Sequence, residues 1–286
     1  MAARIRRHEG EGVSWEAVRG APHAALRGHV IGYTGYRERT DGVHRRRELP
    51  STRASLILGW DAEMWIAGPG RAAGGPLRHR AFVTGLHDIF ALTEYEGVSA
   101  GVQVELTPVG MHRLTGVPMR ELSGPLAVEV DDVLGPEGGL LAERLALAPS
   151  WWARFALLDD VLGARLAGAP GASPDVAWAW RRLRETGGTI GVGALARELR
   201  CSPRHLGGRF AEEVGLPPKT IARLVRFHRA LALLERDDGA RGAEVAQACG
   251  FYDQAHLNRD FRAFAGGPPS DVLVRRLPEG FGVSGR

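Results

Sequence analysis

The sequence predicts an α+β chain of two units. The N-terminal unit is mostly β, a barrel or sandwich with trailing helices; the C-terminal unit is all-α, with two helix-turn-helix units joined by a spacer helix. Three observations predict this. Short apolar runs broken by Gly, Pro and Asp fill residues 25 to 134. After Pro136 the apolar residues fall at helical spacing. Beyond residue 190 a pattern of short helix, tight turn and second helix occurs twice, 51 residues apart.

Residues 1–24 read as a disordered arm; the first twenty are basic and lack the apolar stretch of a secretory signal. Residues 25–168 form the β-rich unit, expected to sense a ligand or to dimerise. Its strands include Ser55 to Leu58, Met64 to Ile66, the alternating Val102, Val104 and Leu106, and the pair Val128 and Val130. Trp60, Trp65 and Tyr95 are large enough to line a pocket, although core packing is the simpler role. Arg45, Arg46 and Arg47 read as a solvated turn. The run from Gly68 to Pro76 lacks the Gly-Lys-Ser/Thr ending that cradles phosphate and reads as a loop.

Leu140, Leu141 and Leu145, then Trp151, Trp152, Phe155, Leu158, Leu162 and Leu166, place two helices after Pro136, the second capped by Ser150. Their apolar stripe packs onto the β unit or forms a dimer seam. Residues 169–174, small and proline-punctuated, read as a linker, and 175–286 as the helical unit. Pro174 behind Ser173 opens a helix running to about Arg184.

The first helix-turn-helix spans about 192–213. Val192, Leu195, Ala196 and Leu199 share one face; a break at Arg200 and Cys201 follows, and Ser202 caps a helix that buries Leu206, Phe210 and Val214. The spacer runs from about Lys219 to Arg236. The second unit spans about 243–264, with Val245, Ala246 and Cys249 before a turn at Gly250. Asp253 then caps a helix that buries Leu257, Phe261 and Phe264. The polar faces of the two second helices carry Arg204, His205 and Arg209, and Gln254, His256, Asn258 and Arg259.

Composition is that of an ordinary globular chain, 44% hydrophobic and 24% charged, without a run of apolar residues long enough to cross a membrane, so a cytoplasmic location is expected. The net charge of +4 is uneven: residues 175–286 hold 18 basic against 13 acidic residues, and residues 1–174 hold 19 against 20. Lys219 is the one lysine of the helical unit, and guanidinium suits phosphate and guanine edges. Cys201 and Cys249 have neither disulfide-framework nor metal spacing, and read as small buried hydrophobes. The N-terminal histidines lack the H-x-H clustering of a metal site, and residues 1–174 contain no cysteine to act as a nucleophile. No cofactor, metal or catalytic residue is expected.

Residues 195 to 271 resemble the DNA-binding domain of the AraC/XylS family of transcription regulators. The resemblance rests on Leu195, Ala196, Ser202, Leu206, Phe210, Gly215 and Pro218, then Arg226, Ala230, Leu233 and Leu234, then Val245, Ala246, Gly250, Phe251, Asp253, Gln254, Leu257, Arg259, Phe261 and Pro269. It implies two recognition helices entering successive major-groove segments, about 34 Å apart on one face of double-stranded DNA. Base contacts would come from the positions of Arg204, His205 and Gly208, and of Gln254, Ala255 and Arg259. His256 and Asn258 lie on the same polar face. Gln254 suits adenine and Arg259 guanine. Ser202 and Asp253 cap the helices, and Arg209, Arg223, Arg226, Arg241 and Arg262 are candidates for the phosphate backbone or for solvated surface. The resemblance also implies a cupin-like β unit, a small-molecule effector, a homodimer, and RNA polymerase as partner where such a protein activates. Two alternatives stay open: a cupin-type enzyme fused to a DNA-binding module, and a regulator whose β unit only dimerises or contacts a protein.

One departure bears on specificity. The family usually carries arginine two residues before the buried phenylalanine of the first recognition helix, and this sequence has Gly208 there, beside Gly207. The first helix is therefore expected to read sequence weakly.

Overall fold

The computed structural model describes residues 4–10, 12–69, 77–236, 241–274 and 283–284. Residues 70–76 of the expected glycine-rich loop lie outside them.

The N-terminal unit is an antiparallel sheet: β1 (Arg4–Gly10), β2 (Val13–Gly20), β3 (Val30–Glu48), β4 (Ala54–Gly59), β5 (Met64–Ala67), β6 (Leu77–His79), β7 (Ala81–Thr84), β8 (Ala91–Leu106) and β9 (Val128–Glu129). The pairing order is β1-β2-β3-β8-β4-β7-β9, with β5 also on β8 and β6 on β5, and it does not close on itself among the described strands. The expected disordered arm is corrected: β1 and β2 pair through Arg4 to Gly10 and Val13 to Arg19, and β2 continues onto β3. The described side chains of β1 are all exposed, so it carries no apolar alternation to mark it as a strand.

Alternation gives the sheet two unlike faces. Leu56 and Leu58 of β4 and Val102, Val104 and Leu106 of β8 are fully buried against helices. Ser55, Ile57, Gln103 and Glu105, on the other parity, line a cavity.

The covering helices are α1 (Pro108–Thr115), α2 (Met119–Ser123), α3 (Val130–Leu134), α4 (Glu137–Leu147) and α5 (Trp151–Ala167). The first three fall where the sequence reads as β, and Val130, expected in a strand with Val128, opens α3 instead. Thr107 caps α1 by accepting from the Gly110 N–H at 3.0 Å, with Pro108 at its first position. Ser150 caps α5 through the Ala153 N–H at 3.2 Å. That helix docks on β2 and β3: a Cβ at Gly35 would lie 2.3 Å from the Trp151 ring, and the Trp151 indole donates to Glu16 at 2.9 Å. The stripe thus packs onto the sheet through Trp151, while Trp152 is 48% exposed.

Residues 168–173 hold no helix or strand, and Arg113 secures their start by donating to the carbonyls of Leu166, Ala169 and Pro170. The helical unit follows: α6 (Pro174–Glu185), α7 (Val192–Glu198), α8 (Pro203–Glu213), α9 (Pro218–Arg236), α10 (Gly242–Ala248), α11 (Gln254–Ala265) and α12 (Pro269–Val274). A short strand β10 (Val283–Ser284) returns to pair with Arg47 and Arg46 of β3. One cluster of buried apolar side chains runs through both units, from Val18 to Val272. No described helix is long and apolar enough to cross a membrane.

One reading of the β unit changes. Arg45, Arg46 and Arg47 lie in β3, not in a turn, and only Arg45 is mainly solvated, pairing with Glu94 at 2.8 Å. Trp60, Trp65 and Tyr95 keep the simpler role, packing, and none of them lines the cavity. Trp60 packs beside Trp151, Trp65 lies under the Arg78 guanidinium, and Tyr95 is buried with its hydroxyl on Glu38.

Candidate nucleic-acid interface

Both helix-turn-helix units are built by the same local chemistry. In the first, α7 ends where Arg200 adopts a left-handed conformation at φ +52°, and the Cys201 N–H reaches back to the Ala196 carbonyl at 2.9 Å. Ser202 then accepts from the His205 N–H at 3.1 Å and starts α8. In the second, Gly250 takes the left-handed position at φ +75°, and Phe251 N–H bonds the Ala246 carbonyl at 2.9 Å. Asp253 accepts from the His256 N–H at 2.6 Å and starts α11. The caps at Ser202 and Asp253 therefore stand as the sequence implies.

The buried sides fix the orientation. Leu206 and Phe210 of α8, and Leu257, Phe261 and Phe264 of α11, are all at most 1% exposed. Phe227 of α9 meets Phe261 and Phe264 edge-on, with centroids 4.8 and 5.4 Å apart. The spacer helix has 19 residues and so spans about 28 Å at 1.5 Å per residue.

On the outer sides, Arg204, His205 and Gly208 of α8 are exposed, as are Gln254, Ala255, Arg259 and Arg262 of α11. Asn258 and His256 are half-buried, and the His256 ring stands edge-on against Phe251 at 5.4 Å. Gln254 lies across the first residue of α10: a Cβ at Gly242 would sit 2.6 Å from its amide nitrogen. Arg209 is turned along its own helix toward Glu213, 3.6 Å away. Arg241 is exposed and lies 3.8 Å from Glu244.

Two arginines considered for phosphate or solvent are instead engaged inside the molecule. Arg223 pairs with buried Asp260 at 2.8 Å and stacks over Phe264. Arg226 donates to the Gly188 carbonyl at 2.6 Å and lies over Phe251, and burial lowers its pKa. Arg223 is thus turned toward α11 and Arg226 toward the turn at Gly188, on the part of α9 that the rest of the unit covers.

No local pattern marks how α8 and α11 are anchored. The C-terminal end of α8 meets α2: Arg120 pairs with Glu212, and a Cβ at Gly215 would lie 2.1 Å from the Ser123 hydroxyl oxygen. Glu213 accepts from the Ser173 N–H at 3.0 Å. At the end of α11, Arg47 of β3 donates to the Ala265 carbonyl at 2.7 Å, while Phe90 packs against Gly266. A cation at a helix C-terminus is electrostatically favourable. His228 of α9 lies 2.8 Å from the Pro50 carbonyl. Both helices are thus held to the β unit by their C-terminal ends, and their capped N-terminal turns face outward.

Residues 195–275 match the family model described as a helix-turn-helix domain. They form a helix-turn-helix domain. The regulator Rv1931c of Mycobacterium tuberculosis, an HTH-type transcriptional regulator, is 30% identical over 126 residues; the match covers 44% of this chain and 46% of that protein, about half its length. Among solved structures, the C-terminal domain of AraT from Geobacillus stearothermophilus is 21% identical, covering 38% of this chain and 90% of that one at a TM-score of 0.35. ToxT from Vibrio cholerae O395 is 11% identical, covering 93% of this chain and 98% of its own at a TM-score of 0.44.

Proposed function

We propose that the chain is a sequence-specific transcription regulator that binds double-stranded DNA, and that its N-terminal unit responds to a small-molecule effector. The observation that carries this reading is the helix-turn-helix domain, with two capped helices that present polar and cationic side chains at their outward N-terminal turns. An α-helix of this kind fits the major groove. Gln254 and Arg259 lead base reading in the second unit, with Asn258 beside them. Arg204 and His205 serve the first unit, where Gly207 and Gly208 leave the surface bare. Arg209 and Arg262 contribute charge near the phosphates.

Selection from a randomised duplex pool, followed by binding titrations, tests this. An enriched motif is expected. Arg259→Ala should weaken binding to that motif by roughly 10- to 100-fold, the worth of one bidentate base contact, and leave non-specific binding almost unchanged. Arg209→Ala should weaken specific and non-specific DNA by similar factors. No enriched motif, or equal loss of specificity in both variants, would sink the reading.

A further inference from the structure

The sheet face opposite the helices encloses a cavity of about 330 Å³, a size that suits a small ligand. Its two ends differ chemically. Ile57, Ile66, Phe82 and Leu126 make one end apolar, and the charged residues Glu38, Arg46, Glu48, Arg53 and Glu105 gather in the rest of the wall.

Three carboxylates thus face two guanidiniums, and each guanidinium is already matched. Arg46 grips Glu38 through two bonds of 3.1 and 2.7 Å, and Arg53 grips Glu105 through two bonds of 2.8 Å. Glu48 is left over. It accepts a bond from Thr93 and feels the charge of Arg46, but it enters no ion pair of its own among the described residues; burial pushes its carboxyl pKa up, and Arg46 only partly offsets this. A second unmatched polar atom belongs to another lining residue: the buried Nε2 of His87 has no hydrogen-bond partner among the described residues. Burial holds the His87 pKa below the usual value, so the ring adds no positive charge to the wall.

We propose that this cavity binds a small organic cation, a protonated amine on an alkyl or aryl body, with Glu48 as its counter-ion and Ile57, Ile66 and Phe82 around its apolar part. An ammonium supplies the positive charge and the donors that the wall lacks, and an anion would meet a surplus carboxylate. Whether such a ligand acts as the effector rests on the regulatory reading above; whether it binds does not.

The test is calorimetric titration of the full chain with hexylamine, benzylamine and phenethylamine, each beside the carboxylate of matching body. At least one amine should bind, ten-fold or more tighter than its carboxylate. Glu48→Gln should weaken that amine by ten-fold or more. The amine and carboxylate comparison uses the unaltered chain and does not depend on the variant folding. Carboxylates binding equally well, no amine binding, or unchanged binding in folded Glu48→Gln would overturn the proposal. An amine that binds without changing DNA affinity would overturn the effector reading and leave the ligand class standing.

Discussion

Arg200 shows how much one residue can cost in a tight turn. It holds a left-handed backbone at φ +52°, at the place where the second unit uses Gly250, and its side chain is exposed. For an L-residue that conformation costs about 1–2 kcal/mol, and glycine's extra chain freedom offsets part of the gain from replacing it. Arg200→Gly should therefore stabilise the chain by about 0.5–1 kcal/mol, as read from a denaturant melt; a loss of stability would show that the arginine makes a contact worth more than the strain. The turn itself was legible in the sequence, because Ser202 and Asp253 are good caps standing before buried Leu206 and Leu257. The roles of Arg223 and Arg226 were not. Periodicity gives the apolar face of α9, but it does not say that α11 and the Gly188 turn cover part of the polar one.

For whole helices, the contrast between α8 and α11 is the informative one. Gly207 and Gly208 sit inside α8 with nothing within 4 Å of where a Cβ would go, so packing does not require glycine at either position. Helix propensity favours alanine by about 1 kcal/mol at each. The double variant Gly207→Ala, Gly208→Ala should raise stability by about 2 kcal/mol in equilibrium unfolding. No gain would mean that α8 is already held rigid by its anchors to α2. All six helices from α6 to α11 follow from spacing, caps and breakers in the sequence. The elements that escaped lack a period to read: the described side chains of β1 are all exposed, only Ala17 and Val18 of β2 are buried and they are adjacent, and α1, α2 and α3 are only 8, 5 and 5 residues long.

For the molecule as a whole, the linker suggested two units that could move separately, yet the apolar core is continuous. Met119 and Leu122 of α2 share one buried cluster with Leu206, Phe210 and Val214 around α8. Scanning calorimetry of the full chain should give a single endotherm, with calorimetric and van't Hoff enthalpies in agreement. Two resolved transitions would show that the shared core does not couple the units. This arrangement was not legible in the sequence, because the pairs that make it, Arg47 with Ala265 and Arg120 with Glu212, are 218 and 92 residues apart. Nothing in local pattern links positions so distant.

The tail of β3 has a consequence of its own. Arg46 and Glu48 face the cavity, and Arg47 between them faces α11, so the parity of one strand separates the ligand side from the reading side. The irregularity between Thr40 and His44 keeps that parity, since four residues there stand against two of β8, and Tyr36 and Glu38 before it face the cavity as well. Losing a single residue there would keep every side chain in the tail but exchange their directions: Arg47 would turn into the cavity, and the second reading helix would lose its tether. The wiring between the two halves is stored as an odd or even count, not as a residue type.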